Sequence, residues 1–421
     1  MKKIRDIIYG FVLLDEQECD IIDHPVFQRL RRIRQLSLTD MVYPGATHTR
    51  FEHSIGVMKM VSDMFDCIVQ NESNRQLLKD VYLLKDSGIE KARKIIRIAA
   101  LLHDIGHAPF SHAGEDLMPF LPNTHVKYIE GSNQKYTHED YSIAVIKDIF
   151  KTLIEDHPQI RHNYPIKIEE VTALLGDRTA SFNSLTLLWK QLISGQIDAD
   201  RADYLLRDSI HLGISYGLYD RSRLINSLVL GRNTETDDLT LAIEEKSWHI
   251  AESLVLARYQ MFSQVYFHKV RRIYDYHIQE ATKEILRYKR NGVGLYPTPT
   301  TYELEEYLKF DDWEIYSALK NGIAGEKGNI ILERKHFKCI YTSQLMSTAE
   351  DEGKIIELKE KFKDQSFYLD DTAFTSWYKI NADADVRIYG NGRFQYLSEK
   401  SAIVKAMSGK SVLQKRFYIP D

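Results

Sequence analysis

The 421-residue sequence contains few cysteines and no large excess of either charge. Its three cysteines, Cys19, Cys67 and Cys339, are widely spaced and form no CxxC pair. This spacing excludes a disulfide framework and favours a reducing compartment, so we expect a cytoplasmic protein. The 56 basic and 60 acidic residues give a formal net charge of -4. The net charge of the whole chain therefore does not indicate non-specific nucleic-acid binding. A local basic cleft is still possible.

The sequence also lacks a long apolar run and any repeat. The longest interior apolar stretch, Ile95 to Leu102, contains Arg97 and is too short to span a bilayer. The N-terminus is broken by Arg5, Asp6 and Gly10 and has no small-residue cleavage site, so we expect no signal peptide. No Pro-, Gly- or Gln-rich tract interrupts the chain. These absences predict no transmembrane segment and no repeat architecture.

The apolar spacing from about residue 23 to 290 is mostly helical and predicts a mainly α fold. Phe51, Ile55 and Met58, for example, lie on one side of a predicted helix that begins near Arg50. Two short runs, 227–230 and 239–243, flank a polar stretch and predict a small β-hairpin that projects from the helical body. A second helical stretch follows, from about 247 to 287.

The amino-acid composition changes near residues 290–300, which are rich in Gly, Pro and Thr. This change predicts a domain boundary. We expect a helical catalytic core over 1–295 and a smaller α+β C-terminal lobe over 296–421, with a role in oligomerisation or regulation. Within this lobe the pattern predicts a helix, three strands and two turns. They are a helix around 302–318, strands at 330–332, 339–342 and 385–389, and turns at Gly353 and at Gly390 to Gly392.

Titratable residues that could carry chemistry concentrate in three segments: Arg50 to His53, His103 to His112, and Asp198 to Asp208. In the third segment Asp200, Tyr204 and Asp208 fall four residues apart, on one face of a helix. That segment could also be a solvated helix with internal ion pairs, such as Asp203 with Arg207. Taken alone, the pattern favours the solvated helix, because such ion-paired helices are common.

His53, His103, Asp104 and Asp200 would make a mixed nitrogen and oxygen site. Such a site suits Mn, Fe, Zn, Ni or Co, and Mg less well. Four protein ligands leave positions for water and a phosphate oxygen, which suits phosphoester hydrolysis. Alone, His53 could instead be a cap at a helix start, whereas an adjacent His-Asp pair at the end of an apolar helix is costly to bury without a partner or a metal.

Four phrases occur in order along the chain: PVFQRLRRIRQL, YPGATHTRFEHSIG, HDIGHAPFSH and DADRADYLLRD. From about Asp23 to Lys269 they resemble the HD-domain phosphohydrolases, and within these the dGTPase-like deoxynucleoside triphosphate triphosphohydrolases. The resemblance implies a helical HD-domain core, a divalent metal ion and hydrolysis of a dNTP to deoxynucleoside and inorganic triphosphate. Because the similar phrases begin near residue 20, we expect no sterile-alpha-motif domain ahead of them.

By this resemblance the metal ligands are His53, His103, Asp104 and Asp200. Asp198 competes for the fourth place, because the DxD pattern offers two carboxylates. The family places the ligand immediately before a basic residue, which favours Asp200 here.

The resemblance assigns five residues to catalysis beside the metal. His112, supported by His138 and Glu115, would protonate the departing sugar oxygen. Glu115 stands where close relatives can carry Asp, so its pairing with a histidine can differ in detail. Arg50 would hold an α-phosphate oxygen, and His107 also points at the phosphates.

The resemblance also implies substrate contacts outside the catalytic group. Taken alone, Arg258 and Lys269 are better explained as solvated surface residues, and spacing alone would place Tyr204 and Leu36 in the core. The phosphate contacts would be Arg201, Arg258 and Lys269, and the sugar contacts Gln35, Leu36, Tyr204, Asp208 and Tyr266.

Asp23, Gln28 and Arg31 match the family's guanine-specific activator site, so GTP or a dNTP could act as activator. Asp accepts from the guanine N1 and N2 protons, while Arg donates to O6 and N7. A basic amphipathic helix with a capping Asp23 explains the same residues. In the family this site lies between subunits, which implies a homo-oligomer, with a tetramer favoured over a dimer.

Two other functions stay open at this stage. The chain could be a different HD phosphohydrolase that acts on a nucleoside monophosphate, a cyclic dinucleotide or an alarmone. It could also be a non-catalytic nucleotide sensor or nucleic-acid binder. Intact catalytic histidines argue against the second of these.

Overall fold

The computed structural model describes residues 2–158, 164–233, 235–371, 374–376, 385–408 and 411–421, and it confirms a mainly α fold. The three longest described helices are Arg50–Gln70, Asp86–Leu102 and Lys269–Lys289. The helices are α1 Glu16–Asp23, α2 Pro25–Gln28, α3 Arg50–Gln70, α4 Glu72–Tyr82, α5 Asp86–Leu102, α6 His112–Glu115, α7 His138–Asp148, α8 Lys151–Glu155, α9 Ile168–Leu174, α10 Ser184–Lys190, α11 Ala199–Leu212, α12 Arg221–Asn226, α13 His249–Met261, α14 Lys269–Lys289, α15 Thr301–Tyr307, α16 Asp312–Lys320, α17 Gly325–Leu332, α18 Ala349–Lys361, α19 Leu397–Lys400 and α20 Ala402–Met407.

The described strands form four small sheets. Their order is β1-β2, β5-β11-β6, β3-β4-β8-β9 and β7-β10. The strands are β1 Lys2–Asp6, β2 Gly10–Leu14, β3 Leu228–Arg232, β4 Leu239–Glu244, β5 Lys338–Thr342, β6 Tyr368–Asp370, β7 Phe374–Ser376, β8 Arg387–Gly390, β9 Arg393–Tyr396, β10 Ser411–Leu413 and β11 Arg416–Ile419.

The core is built around α3, which packs against α5 and α11. Apolar side chains along α3, including Val57, Val61 and Phe65, are fully buried. Burial of such side chains stabilises by about 1.5–3 kcal/mol each. Helix α11 begins after Asp198, whose side chain accepts from the Arg201 backbone N–H, and it ends at Gly213 with φ 69°. These packed helices carry the residues of the candidate site at their ends.

The predicted β-hairpin is confirmed as β3 and β4, but it does not stand alone. Strand β4 pairs in parallel with β8 of the C-terminal part, where Ile243 lies opposite Ile388. The hairpin is therefore half of a four-stranded sheet. Residue 234 of its connecting loop lies outside the described residues. The predicted strands at 339–342 and 385–389 correspond to β5 and β8, and the predicted turn at Gly390 to Gly392 joins β8 to β9.

Several local predictions were wrong. Residues 330–332 end helix α17, because a short apolar run does not distinguish a strand from a buried helix. Gly353 lies inside α18, which begins with Thr348 as its cap. The single helix expected around 302–318 is two helices, and the stretch 247–287 is interrupted by a π-helical turn at Phe262–Tyr266. The hairpin β1-β2 was not predicted.

Residues after 295 pack directly against the helical core. The Tyr296 N–H donates to Leu117 O at 2.9 Å, and the Arg29 guanidinium donates to Phe310 O at 2.7 Å. These hydrogen bonds cross the predicted boundary at residue 295. The division of the chain into two domains at this residue stays a prediction. No helix of the described residues combines the length and apolar character needed to cross a membrane.

Candidate active site

A cluster of histidine and carboxylate atoms lies where α3, α5 and α11 meet. The ligand atoms of His53, His103 and Asp104 all lie within 4.8 Å of one another. Asp200 Oδ1 lies 3.0 Å from His53 Nε2 and 3.9 Å from His103 Nε2. Ligands bound at about 2.1 Å to one ion are separated by roughly 3–4 Å, so these distances suit a metal ion.

The chemistry of the donors also fits a divalent cation. Nε2 of His53 and Nε2 of His103 are buried and make no hydrogen bond of normal geometry among the described residues. Burial opposes protonation of His53, but the nearby carboxylates of Asp200, Asp203 and Asp104 outweigh it and raise its pKa to about 10. The clustered carboxylates thus concentrate negative charge at the position where a cation would bind.

Both histidines are oriented from behind. His53 Nδ1 lies 2.9 Å from Asp203 Oδ2, and His103 Nδ1 lies 2.8 Å from Ala100 O. Such contacts fix the ring so that Nε2 faces the metal. Arg207 in turn binds both oxygens of Asp203, at 2.8 and 2.9 Å. A Cβ on Gly56 would lie only 2.1 Å from Asp203 Oδ1, so glycine leaves room for this buried pair.

The two carboxylates of the DxD pattern have different neighbours. Asp198 is buried and caps α11, where it accepts from the N–H groups of Arg201 at 2.8 Å and of Gly195 at 3.0 Å. Its side chain also pairs with the Arg201 guanidinium at 2.5 Å. Asp200 instead faces the two imidazoles. This geometry favours Asp200 over Asp198 as the fourth ligand.

A second cluster, which we call the acid cluster, consists of His107, His112, Glu115 and His138. Glu115 Oε1 lies 2.7 Å from His138 Nδ1, 3.1 Å from His112 Nδ1 and 3.2 Å from His107 Nδ1. Burial lowers the pKa of His138, but Glu115 and Glu139 outweigh it and raise the pKa to about 9. Burial, Arg50 and His138 hold the pKa of His107 well below its usual range. His112 is the most exposed member, with 64% of its side chain accessible.

Asp104 connects the acid cluster to the metal cluster. Its Oδ1 lies 3.3 Å from His107 Nε2 and 3.2 Å from His103 Nε2. Its Oδ2 pairs with the Arg50 guanidinium, and Arg50 Nε also donates to Ser111 Oγ at 2.8 Å. The segment that follows Asp104 packs closely against His138 because residue 106 is a glycine. A Cβ on Gly106 would lie only 2.4 Å from the carbonyl oxygen of His138.

A cavity of about 400 Å³ opens from Arg50 and His112. It contains all five residues expected to contact a sugar. Asp208 is 1% exposed and accepts from the Tyr266 hydroxyl at 2.6 Å. The five residues are Gln35, Leu36, Tyr204, Asp208 and Tyr266.

The three cations expected at the phosphates lie outside the described lining of that cavity. Arg201 pairs with Asp198, and Arg258 lies beside Tyr204 and Phe262. Lys269 begins α14, and its backbone carbonyl accepts from the Tyr418 hydroxyl at 2.9 Å.

The three residues expected at an activator site lie near one another on the surface of α1, α2 and the following 3-10 turn. Arg31 Nε donates to Gln28 Oε1 at 2.8 Å, and its guanidinium lies 3.4 Å from the centre of the Phe51 ring. Asp23 pairs with Lys2 at 2.6 Å and has a largely exposed side chain. The trio therefore offers a carboxylate and a guanidinium to a ligand.

Sequence reasoning missed several residues of the site. Asp203 was considered only as a member of a solvated ion pair, yet it is fully buried behind His53. His48 Nε2 lies 2.7 Å from Asp208 Oδ1, and the phrase YPGATHTRFEHSIG contains His48 but gave it no role. Tyr276 and Tyr368, stacked with ring centres 4.0 Å apart, also line the cavity. Tyr368 comes from β6, so no local pattern could place it there.

Two stretches of the chain match known domain families. Residues 50–208 match the HD domain, and residues 219–368 match the HD associated region. The chain contains an HD domain. The HD match begins at Arg50 and ends at Asp208, so it includes both clusters described above. HD domains are metal-dependent, and the group formed by His53, His103 and Asp104 could hold a metal ion.

Individual relatives cover the chain to different extents. The uncharacterized protein YwfO of Bacillus subtilis is 28% identical over 449 residues, covering 100% of this chain and 92% of that protein. A Dictyostelium discoideum protein named deoxynucleoside triphosphate triphosphohydrolase SAMHD1 homolog is 31% identical over 286 residues, which is 67% of this chain. This chain spans about half, 49%, of that relative's length.

The solved structure of a phosphohydrolase from Bacteroides thetaiotaomicron matches with a TM-score of 0.71 and 25% identity. The match covers 100% of this chain and 99% of that one. The HD domain and this structural neighbour together support a metal-dependent phosphohydrolase.

Proposed function

We propose that this HD-domain protein hydrolyses deoxynucleoside triphosphates to a deoxynucleoside and inorganic triphosphate. One observation carries the proposal. A single cavity is lined by Arg50 and His112 together with Tyr204, Asp208 and Tyr266. It therefore joins groups suited to a phosphoester with groups suited to a sugar. The SAMHD1 name of the Dictyostelium relative supports the same substrate class.

The acid cluster suits protonation of the 5′ oxygen as it leaves the α-phosphorus. His112 is the accessible member and would donate the proton, while Glu115 orients its ring through Nδ1. His138 shares the same carboxylate oxygen and is held protonated, because its pKa is raised to about 9. Arg50 would neutralise charge on the phosphoryl oxygens. The divalent ion, when bound at His53, His103, Asp104 and Asp200, supplies Lewis acidity.

The residues expected to contact a sugar suit a deoxyribose. Asp208 is held between His48 Nε2 at 2.7 Å and the Tyr266 hydroxyl at 2.6 Å, so its carboxylate is fixed for a 3′-hydroxyl. Gln35 and Leu36, which line the same cavity, are more than nine-tenths buried. We expect this close packing to leave no room for a 2′-hydroxyl. Ribonucleotides would then be poor substrates.

Guanine-nucleotide activation and assembly into an oligomer belong to the same proposal. Arg31 and Asp23 present the donors and the acceptor that a guanine edge requires. The pairing of Arg31 with Gln28 and of Asp23 with Lys2 means that a ligand would have to replace these contacts. The phosphate roles of Arg201, Arg258 and Lys269 likewise stay proposals.

Product analysis tests the reaction directly. Purified protein is incubated with Mn or Mg and each dNTP, singly and with GTP, and the products are separated by anion-exchange chromatography. We expect deoxynucleoside and intact triphosphate, with a higher rate in mixtures if an activator binds. Release of monophosphate or diphosphate would contradict the proposal. Absence of turnover with metal bound would favour another HD substrate, or a nucleotide sensor.

A further inference from the structure

A carboxylate from the C-terminal part of the chain connects two loops of the active site. Asp312, at the first turn of α16, is 2% exposed. Its Oδ1 accepts from the Phe110 N–H at 2.7 Å, and its Oδ2 accepts from the Arg34 N–H at 2.8 Å. Phe110 comes two residues before His112, and Arg34 immediately precedes Gln35. One side chain thus ties the loop of the proposed acid to the loop of a proposed sugar contact.

The loop at Phe110 has an unusual backbone that requires support. Phe110 and Ser111 have φ angles of 59° and 56°, in the left-handed region that non-glycine residues rarely adopt. Such conformations persist only where the surrounding structure holds them. Phe110 is buried, and its ring packs edge-on against Tyr316 of α16 at 5.5 Å. Helix α16 therefore holds this turn through both its backbone and its side chain.

The positions of Arg50 and His112 depend on this turn. Ser111 Oγ accepts from Arg50 Nε at 2.8 Å and donates to Arg34 O at 2.6 Å. A rotation of the Phe110–Ser111 peptide would therefore move a partner of Arg50, and the next residue, His112, would move with it. Misplacement of a catalytic group by about 1 Å can cost about 100-fold in rate.

We propose that Asp312 is a positioning residue, which fixes the strained turn at Phe110 and Ser111 and so places His112 and Arg50 for catalysis. Other contacts hold the earlier part of the same loop. The Tyr307 hydroxyl donates to Gly106 O at 2.7 Å, and Arg29 donates to His107 O at 3.0 Å. Loss of Asp312 should therefore loosen the end of the loop and leave its beginning in place.

Hydrogen exchange measures the positioning itself, without a substrate. In Asp312→Asn, one oxygen can still accept, but the amide –NH₂ replaces the other acceptor and faces a backbone donor. We expect exchange in peptides covering 108–112 to rise tenfold or more, with unchanged exchange in α3. The matched control is Asp311→Asn, which removes the ion pair with Arg32 but keeps a good helix cap. Unchanged exchange at 108–112 would overturn the proposal.

Kinetics then test the consequence for catalysis, and this part rests on the proposed function. For Asp312→Asn with full metal content, we expect kcat on the best dNTP to fall about 10- to 100-fold, with KM within about twofold. The loss combined with Ser111→Ala should be smaller than the product of the two single losses, because both act through one turn. A merely structural role would lower the melting temperature and give independent losses, which would overturn the proposal.

The two proposals fail in different ways. If the wild-type protein hydrolyses no dNTP, the proposed function fails, and the exchange measurement alone supports or overturns the role of Asp312 in the turn. If the wild-type protein is active but Asp312→Asn retains its kcat, the positioning role fails and the proposed function stands. Asp312→Glu, which keeps the carboxyl group but moves it, replaces Asp312→Asn in both measurements if the latter does not fold.

Discussion

Asp203→Asn should weaken metal binding although Asp203 is not itself a proposed ligand. Asp203 is fully buried, and its two oxygens have four partners. Oδ1 accepts from the Tyr9 hydroxyl at 2.8 Å and from Arg207 Nη2 at 2.9 Å. Oδ2 lies 2.9 Å from His53 Nδ1 and 2.8 Å from Arg207 Nε. The asparagine can accept at only one of these positions, and its –NH₂ group meets donors at the other.

The size of the effect follows from these contacts. Loss of a partner that orients a ligating histidine typically lowers metal affinity 10- to 100-fold. Breaking a buried ion pair on one side costs about 3–5 kcal/mol, because the remaining charge is left in the protein interior. Arg207 retains Asp6 at 2.9 Å, so we expect a cost near the lower end, about 3 kcal/mol.

Two measurements separate these effects. Metal affinity is measured by competition with a chromophoric chelator, far below the melting temperature. Stability is measured by thermal unfolding with excess chelator, so that bound metal does not contribute. The matched control is Asp198→Asn on the same helix, since asparagine caps a helix as well as aspartate does. We expect the control to keep its metal.

Either of two results would refute this reasoning. An unchanged metal affinity in Asp203→Asn would mean that His53 needs no partner at Nδ1, or does not bind metal. A loss of metal in Asp198→Asn would exchange the roles of Asp198 and Asp200, because the cap would then be the ligand.

Four further variants test the remaining parts of the site. His103→Ala should abolish bound metal and turnover together, measured by metal analysis and product release; activity without metal would remove the ion from the mechanism. His112→Ala should keep its metal but lose 100-fold or more in kcat, and a near-normal rate would assign the proton to another group. Arg31→Ala should lower activation by GTP at an unchanged basal rate, whereas equal loss of both would argue against a separate activator site. Glu115→Gln should move the alkaline limb of the pH profile of kcat to lower pH by about one unit or more. The Glu115 carboxylate helps to raise the pKa of His138 to about 9, and the neutral glutamine would remove that effect. An unmoved limb would contradict this role of Glu115.

Local sequence patterns predicted the elements that begin with strong caps and carry regular apolar spacing. Helix α3 is an example, with Glu52 accepting from the Thr49 N–H at 3.2 Å at its start. The hairpin β3-β4 is another, because polar turn residues separate two apolar runs. The run at 330–332 failed, since three apolar residues fit either a strand or a helix and only the packing of α17 decides.

The limits at the site have a different cause. The motif residues fall within short phrases of the sequence, so their positions could be expected from the spacing within each phrase and from the family resemblance. The residues that orient them are distant: Asp203 lies 150 positions from His53, and Asp312 lies 202 positions from Phe110. No periodicity relates such pairs, and an aspartate on a helix looks solvated until the neighbouring helix is known. The supporting contacts therefore became visible only in the folded chain.

Asp104 determines which variants can separate the functions of the two clusters. Its Oδ1 faces His103 and His107, and its Oδ2 faces Arg50, so the same carboxylate belongs to the metal cluster and borders the acid cluster. Replacement of Asp104 would remove a proposed ligand and also release Arg50 and His107. Its loss of activity could not be assigned to either cluster. His103 and His112 each contact one cluster only among the described residues, so variants at these two positions divide metal binding from proton transfer.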